Sequence, residues 1–291
     1  MAIFDEVRPR LFGIAYRMLG SASEAEDLVQ DVWLRWQSYD RDTVDNPAPF
    51  LATVTTRLAI NEVKSARVRR ETYVGPWLPE PVDTSADPYL GAERGEALEF
   101  AVLLLLERLA PTERAAYVLR EAFDYPYGQI AEIIGHNEAS VRQLVSRARK
   151  RVLDGRRTPV PAADQRRLLA AFVAAARSGD LAALEELLAE DVTSYSDGGG
   201  SAARAAKFPV EGAFRVAKFI AAFAGHFWTG VEVSWADVNG QAAALLSRDG
   251  VVFTVLALDT SEQGIDQVLW MMNPAKLTAV SVGPDLPPDD L

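Results

Sequence analysis

Apolar residues recur with a helical period through the first half of the chain and with a strand period near its end. The run "EAEDLVQDVWLRWQSY" places Leu28, Val32 and Trp36 at i, i+4 spacing, one apolar stripe on a helix. Ser21 or Ser23 is its expected N-cap, and Glu26 follows Ser23 by three residues as a capping box requires. Pro47 and Pro49 interrupt the pattern, and "PFLATVTTRLAINEVKSARVRR" then predicts a second helix with Pro49 near its start. Residues 74–90 carry four prolines and read as a linker. Helices are predicted again over 91–109, 112–122 behind Pro111, 127–134 and about 138–153. A second break, "DGRRTPVPAADQ", precedes two helices over 164–190 joined at Gly179, a strand at 192–196 and a helix over 211–227. From Val231 four strand-like runs alternate, separated by Asn239-Gly240, Asp249-Gly250 and a Ser-Glu-Gln-Gly turn, which predicts an antiparallel meander.

These shifts divide the chain into helical modules at 1–73 and 98–157, linkers at 74–97 and 158–164, and a separate α+β domain at 165–291. The longest apolar runs, such as Phe100 to Leu106, fall far short of a membrane span. The acidic residues close to the N-terminus give no secretion signal, so a cytoplasmic protein is expected. The absence of cysteine excludes disulfides, thiolate nucleophiles and cysteine zinc sites and fits a reducing compartment. With two histidines, His136 and His226, metal sites and histidine triads have little raw material, and no cofactor is expected.

The net charge of −11 argues against nucleic acid until its distribution is read. Residues 1–157 carry 21 basic and 24 acidic side chains, a net of −3, with basic clusters at 64–70 and 142–151. The remaining residues carry 9 and 17, a net of −8, so the acidity concentrates in the α+β domain.

The most informative stretch is "YGQIAEIIGHNEASVRQLVSRARKRV". Gly135 supplies the turn of a helix-turn-helix, and Ala131, Val141 and Leu144 supply apolar inner positions. The outer face of its second helix carries Ser140, Arg142, Gln143, Ser146, Arg147, Arg149, Lys150 and Arg151. Five basic and no acidic residues lie between Ala139 and Val152, the chemistry that base edges and phosphates require. A solvated face in a plain bundle is the alternative, but the inner and outer faces agree with DNA recognition.

"LFGIAYRMLGSASEAEDLVQDVWLRWQSY" resembles the core-binding helices of extracytoplasmic-function sigma factors. Glu24, Asp27 and Asp31 share one helix face, and the resemblance implies that this face, with Gln30 and Trp33, docks on the clamp helices of RNA polymerase. "PFLATVTTRLAINEVKSARVRRE" resembles the family's promoter-melting helix, which assigns Arg57, Asn61, Lys64, Arg67, Arg69 and Arg70 to DNA at the minus-10 element. The helix-turn-helix would then read the minus-35 element. Asn61 replaces an acidic residue common in the family. The likeness covers about residues 8–153. Beyond it, "WLPEP" (Trp77, Leu78, Pro79, Glu80, Pro81), "DGGG" (Asp197, Gly198, Gly199, Gly200) and "NPAKL" (Asn273, Pro274, Lys276, Leu277) resemble the subgroup with a SnoaL-like C-terminal extension. Ala275 and Ser201 depart from that subgroup's usual Asp and Lys. The resemblance implies two all-α sigma domains plus a SnoaL/NTF2-like cone.

The three glycines lack the Gly-Lys-Ser/Thr of a phosphate loop and the spacing of a dinucleotide fingerprint. A flexible tip is the plain reading; the resemblance implies instead that they let backbone approach the "WLPEP" linker, with Trp77 as an anchor. A cyclase-type acid–base pair in the cone would have to use Asp197 and His226, and His226 in "FAGHFW" reads rather as structural. Trp228, Trp235, Phe253, Trp270, Met271 and Met272 either line a small-molecule pocket or form plain core. The expected function is promoter-specific transcription initiation with core RNA polymerase and promoter DNA as partners, modulated by the C-terminal domain. The alternatives are a SnoaL-like enzyme or ligand sensor fused to a DNA-binding module, and a repressor that acts without polymerase.

Overall fold

The computed structural model describes residues 2–85, 87, 90, 98–200, 205–278 and 280. Residues 91–97 of the expected helix over 91–109, Ser201 and the side chain of Arg67 lie outside these. The chain forms two compact units: Met1–Thr72 with Ala86–Arg156, and Tyr73–Ser85 with Arg157–Leu291.

The first unit is helical. α1 (Ala2–Leu19) is its buried axis, with Leu11, Ile14, Ala15, Met18 and Leu19 fully enclosed. Gly20 turns the chain at φ +66°, and α2 (Ala22–Ser38) begins behind Ser21, whose hydroxyl accepts from the Glu24 amide. Ser21 is therefore the cap, and Ser23 falls inside the first turn of α2. Leu28, Val32 and Trp36 are buried as their spacing predicts. α3 (Pro47–Glu71) starts two residues earlier than expected, because Pro47 as well as Pro49 fits a first turn whose amides need no partner. Two threonines, Thr55 and Thr56, are buried in α3, each with its hydroxyl returned to the carbonyl four residues back.

α4 (Phe100–Leu106) and α5 (Pro111–Glu121) lead into α6 (Tyr127–Ile134) and α7 (Glu138–Asp154). Gly135 ends α6 in the left-handed conformation, φ +70°, which suits glycine, and Asn137 caps α7 by accepting from the Ser140 amide at 2.8 Å. The inner face of α7 is Val141, Val145, Ala148 and Val152. Leu144, expected inside, is half-buried instead: the i, i+4, i+7, i+11 stripe runs through Val145.

The second unit is an α+β cone. α8 (Ala162–Ser178), α9 (Leu181–Leu187) and α10 (Ala213–Phe227) pack with a six-stranded sheet ordered β2-β1-β6-β5-β4-β3. β3 (Glu232–Val238), β4 (Gln241–Arg248), β5 (Val251–Ser261) and β6 (Gly264–Met271) form the predicted meander. Asn239-Gly240 and Asp249-Gly250 both hold two successive positive φ values, the hairpin turn their side chains permit. β1 (Leu188–Asp197) is longer than expected. It pairs antiparallel with β2 (Val210–Glu211) and parallel with β6, placing Asp197 opposite Met271. Leu169, Phe172, Val216, Ile220, Leu256 and Trp270 are among the residues of the core under the sheet.

Candidate functional site

Three sets of side chains carry chemistry. The first lies on α2. Asp27, Gln30 and Asp31 are exposed, and Glu24 and Trp33 are half-buried. Trp33 tilts against Phe4 with ring centroids 4.8 Å apart, and with Gln30 it borders a hollow of about 310 Å³. Glu24 accepts from Arg69 of α3 at 2.6 Å. The α2 face is thus an acidic ridge beside an aromatic hollow.

The second set is the helix-turn-helix. Arg142, Gln143, Ser146, Arg147, Arg149 and Lys150 are all exposed on α7, and Ser140 is half-buried in its first turn. Arg142 stacks over the Tyr127 ring at 4.4 Å and pairs with Glu138 one turn back, so its guanidinium is held by two neighbours. Arg149 pairs with Glu121 at 2.7 Å, which raises its pKa above the ordinary guanidinium value. Tyr127 carried no sequence signal for this role.

α3 divides its expected DNA residues. Asn61, Lys64 and Arg69 are exposed. Arg57 instead donates through Nε to the Ile133 carbonyl at 2.8 Å and through Nη2 to the Glu132 carbonyl at 2.9 Å, the otherwise unpaired end of α6. Arg70 donates to the Leu19 carbonyl and pairs with Glu107, and burial with nearby Arg114 pushes its guanidinium down to about 10. Arg114 itself is 1% exposed and donates to the Met18 carbonyl at 2.7 Å and to Glu107 at 2.6 Å. Arg10 and Arg17 of α1 both stack on Phe123 at 5.4 Å, and burial pushes Arg17 down to about 10. Among the five described residues expected on DNA, Arg57, Arg69 and Arg70 are thus bonded to protein.

The third set is in the second unit and centres on Asp197, which is fully buried. Its Oδ1 accepts from the Tyr73 hydroxyl and, at 3.2 Å, from the Gly199 amide. Its Oδ2 accepts from the Leu78 amide at 2.8 Å and from Lys276 Nζ at 2.6 Å. Lys276 also donates to the Leu78 carbonyl and lies 4.3 Å from the Trp77 ring centroid. The Asn273 amide donates to the Tyr73 hydroxyl at 2.8 Å. Burial and the Asp197 carboxylate hold the Tyr73 proton on well above the usual phenol range. Leu78, Pro79, Glu80 and Pro81 are buried, as are Gly198 and Leu277, whereas Pro274 and Gly200 are exposed. Further along the same segment, Val82 and Thr84 bond to Asp237 and Asn239 at the end of β3. A side chain at Gly199 would meet the Asn273 amide at 2.5 Å, so this glycine is required by close approach and by its φ of +57°.

This network occupies the one carboxylate that an Asp197–His226 acid–base pair would use, and His226 sits on the exposed last turn of α10. Of the expected pocket residues, Trp228, Trp270 and Met272 line an apolar cavity with Ser196 and Phe227. Its volume is about 40 Å³, far below that of small-molecule sites. Trp235 and Phe253 pack on the core, and Met271 is fully buried outside the cavity. Among the described residues no acidic, histidine or cysteine cluster could hold a metal ion, and no helix is long and apolar enough to cross a membrane.

Residues 3–69 match the family Sigma-70 region 2, and residues 99–152 match Sigma-70, region 4. The ECF RNA polymerase sigma factor SigJ of Mycobacterium tuberculosis is 40% identical over 252 residues, covering 83% of this chain and 79% of SigJ. The probable ECF RNA polymerase sigma factor SigI of the same species is 32% identical over 274 residues, covering 93% of this chain and 92% of the relative. The crystal structure of Mycobacterium tuberculosis SigJ superposes with a TM-score of 0.76 at 33% identity, across 96% of this chain and 98% of that one. With both sigma modules in order, a SnoaL-like cone behind them and relatives matched over most of their length, the chain belongs to the ECF RNA polymerase sigma factors, which direct promoter-specific transcription initiation.

Proposed function

We propose that the chain binds core RNA polymerase through the α2 face of Glu24, Asp27, Gln30, Asp31 and Trp33, and directs initiation by reading an upstream promoter element with α7. The observation that carries this reading is the division of α7. Val141, Val145, Ala148 and Val152 are buried, while Arg142, Gln143, Ser146, Arg147, Arg149 and Lys150 face solvent together. Asn61, Lys64, Arg67 and Arg69, with Arg57 and Arg70 when released, serve the downstream element. The protein acts in the cytoplasm, beside the polymerase.

The cone works on the sigma modules through the segment Tyr73–Ser85 and is a regulator, not an enzyme. Support comes from the Asp197 carboxylate, whose bonds to Tyr73, Leu78 and Lys276 tie that segment to the sheet. The test is run-off transcription with purified core polymerase across a promoter library. Output that requires this chain and is lost on reversing the α2 charges supports the assignment; output indifferent to both removes it.

A further inference from the structure

The guanidinium of Arg142 is held in place before any DNA is met. Tyr127, the first residue of α6, lies beside two such groups: Arg142 of α7 is 4.4 Å from its ring centroid and Arg120 of α5 is 5.0 Å from it. Arg120 is fixed elsewhere, because it donates to the Tyr125 carbonyl at 3.0 Å and pairs with Asp124 at 3.1 Å. Arg142 pairs at its edge with Glu138, one turn back on α7, and its side chain stays 58% exposed, open to a DNA groove. The Glu138 carboxylate lies against the first turn of α6, where a Cβ on Gly128 would stand 3.7 Å from its Oε2. The residues that α6 gives to the core are Ile130, Ala131 and Ile133, and the half-buried Tyr127 stands apart from them.

A free arginine loses rotamer freedom when it is fixed on a base. Part of that loss is already taken when a ring sets its plane and a carboxylate sets its edge. A planar fork oriented in advance favours guanine, whose O6 and N7 accept two parallel bonds. Stacking uses the face of the guanidinium and base contact uses its edge, so the ring does not compete with the base. Resting on the proposed function, we propose that Tyr127 is a positioning residue for promoter readout, which presets Arg142 so that the base read there is guanine. Tyr127 acts through Arg142 and touches no base itself. On engagement the guanine edge replaces Glu138, and the ring stays in place.

The test uses the full-length protein with bacterial core polymerase on duplexes randomised across the upstream element, with bound sequences counted position by position. The wild-type is expected to prefer guanine at one position where Arg142→Ala shows no preference. Tyr127→Leu, which keeps bulk and removes the aromatic face, should lower that preference about threefold to fivefold, as loss of one exposed cation–π contact does, and leave the other positions unchanged. Tyr127→Phe keeps the face and should keep the preference. In an Arg142→Ala background, Tyr127→Leu should change nothing further. A preference kept by Tyr127→Leu, a loss spread evenly over all positions, or Tyr127→Phe failing like Tyr127→Leu would each overturn the proposal. A second measurement needs no change at Tyr127. In arginine-labelled wild-type protein, the Arg142 Nε–H signal, assigned by its loss in Arg142→Lys, should be shifted by the ring current and show restricted motion. A freely mobile Arg142 would overturn the proposal even if Tyr127→Leu does not fold. Profiles that follow Arg142 and ignore Tyr127 reject the positioning role alone, whereas profiles that Arg142→Ala, Gln143→Ala and Arg147→Ala all leave unaltered reject the reading role of α7 itself.

Discussion

Asp197 and Lys276 form an ion pair at 2.6 Å with the carboxylate wholly shielded from water, and both partners also bond to Leu78 of the preceding linker. A buried charge survives only when paired and hydrogen-bonded, and here the linker backbone supplies part of what each group needs. The docked linker therefore completes the site as much as the site holds the linker.

Asp197→Ala leaves Lys276 without its counter-charge. The expected loss is about 3–5 kcal/mol, the range for breaking a buried pair, read from thermal melting of the full-length chain. Limited proteolysis should then cut within residues 73–85, which the wild-type protects. Protection equal to wild-type would show that the linker is held by other contacts.

Gly199→Leu should reproduce the linker release without touching a charge. The added side chain meets the Asn273 amide at 2.5 Å and sits on a backbone with positive φ. In a reporter assay with matched protein levels, it should fall with Asp197→Ala on the same side of the wild-type output. Opposite effects would separate the glycine turn from the carboxylate.

The phenol of Tyr73 sets an alkaline limit. Its folded pKa is raised, first by burial and then by Asp197, so its stabilising contribution is complete below about pH 10, the unfolded value. Stability should decline as pH climbs above that value, because the unfolded chain releases the proton first. Tyr73→Phe should remove this alkaline slope while costing some stability at neutral pH. A slope unchanged in the variant would assign it to another group.

Asp27→Arg with Asp31→Arg should abolish core polymerase binding in a pull-down while leaving the melting temperature within a degree or two (on the order of 0.5 kcal/mol, as for surface changes), since both side chains are exposed. Unchanged binding would remove α2 from the polymerase surface.

Promoter readout separates two classes of contact. Arg142→Ala should lower affinity by about 1–3 kcal/mol and relax preference at one base position, as loss of a bidentate base contact does. Lys150→Ala should weaken all sequences alike and flatten the salt dependence. A binding profile over randomised upstream elements distinguishes them; identical profiles would argue against a reading role for Arg142.

Periodicity made the helices, the meander and the exposed face of α7 legible, because those features depend on neighbours three, four or two positions away. The turns at Asn239-Gly240 and Asp249-Gly250 were legible for the same reason. Partners far apart in the chain were not. Arg57 reads as a DNA contact from its helix, and nothing local announces that its bonds go to Glu132 and Ile133. Glu107, at the end of an apolar run, looks like any helix-terminal carboxylate. Tyr73 falls on the expected boundary of the first module, yet its hydroxyl bonds across 124 positions to Asp197. The parallel pairing of β1 with β6 escaped a reading built on adjacent hairpins, since its strands are separated by the rest of the sheet.

That pairing also orders events during synthesis. The ribosome releases both helical modules and the linker before β1, and β1 then waits for β6, the last strand of the sheet. Lys276 follows the end of α7 at Asp154 by 122 residues, roughly 6–24 s at about 5–20 residues per second. Every newly made molecule thus passes through an interval in which its DNA-reading helices exist and the lysine that completes the linker site does not. A nascent chain briefly carries its sigma modules without a finished cone, and the length of that interval is written in the number of residues that separate α7 from Lys276.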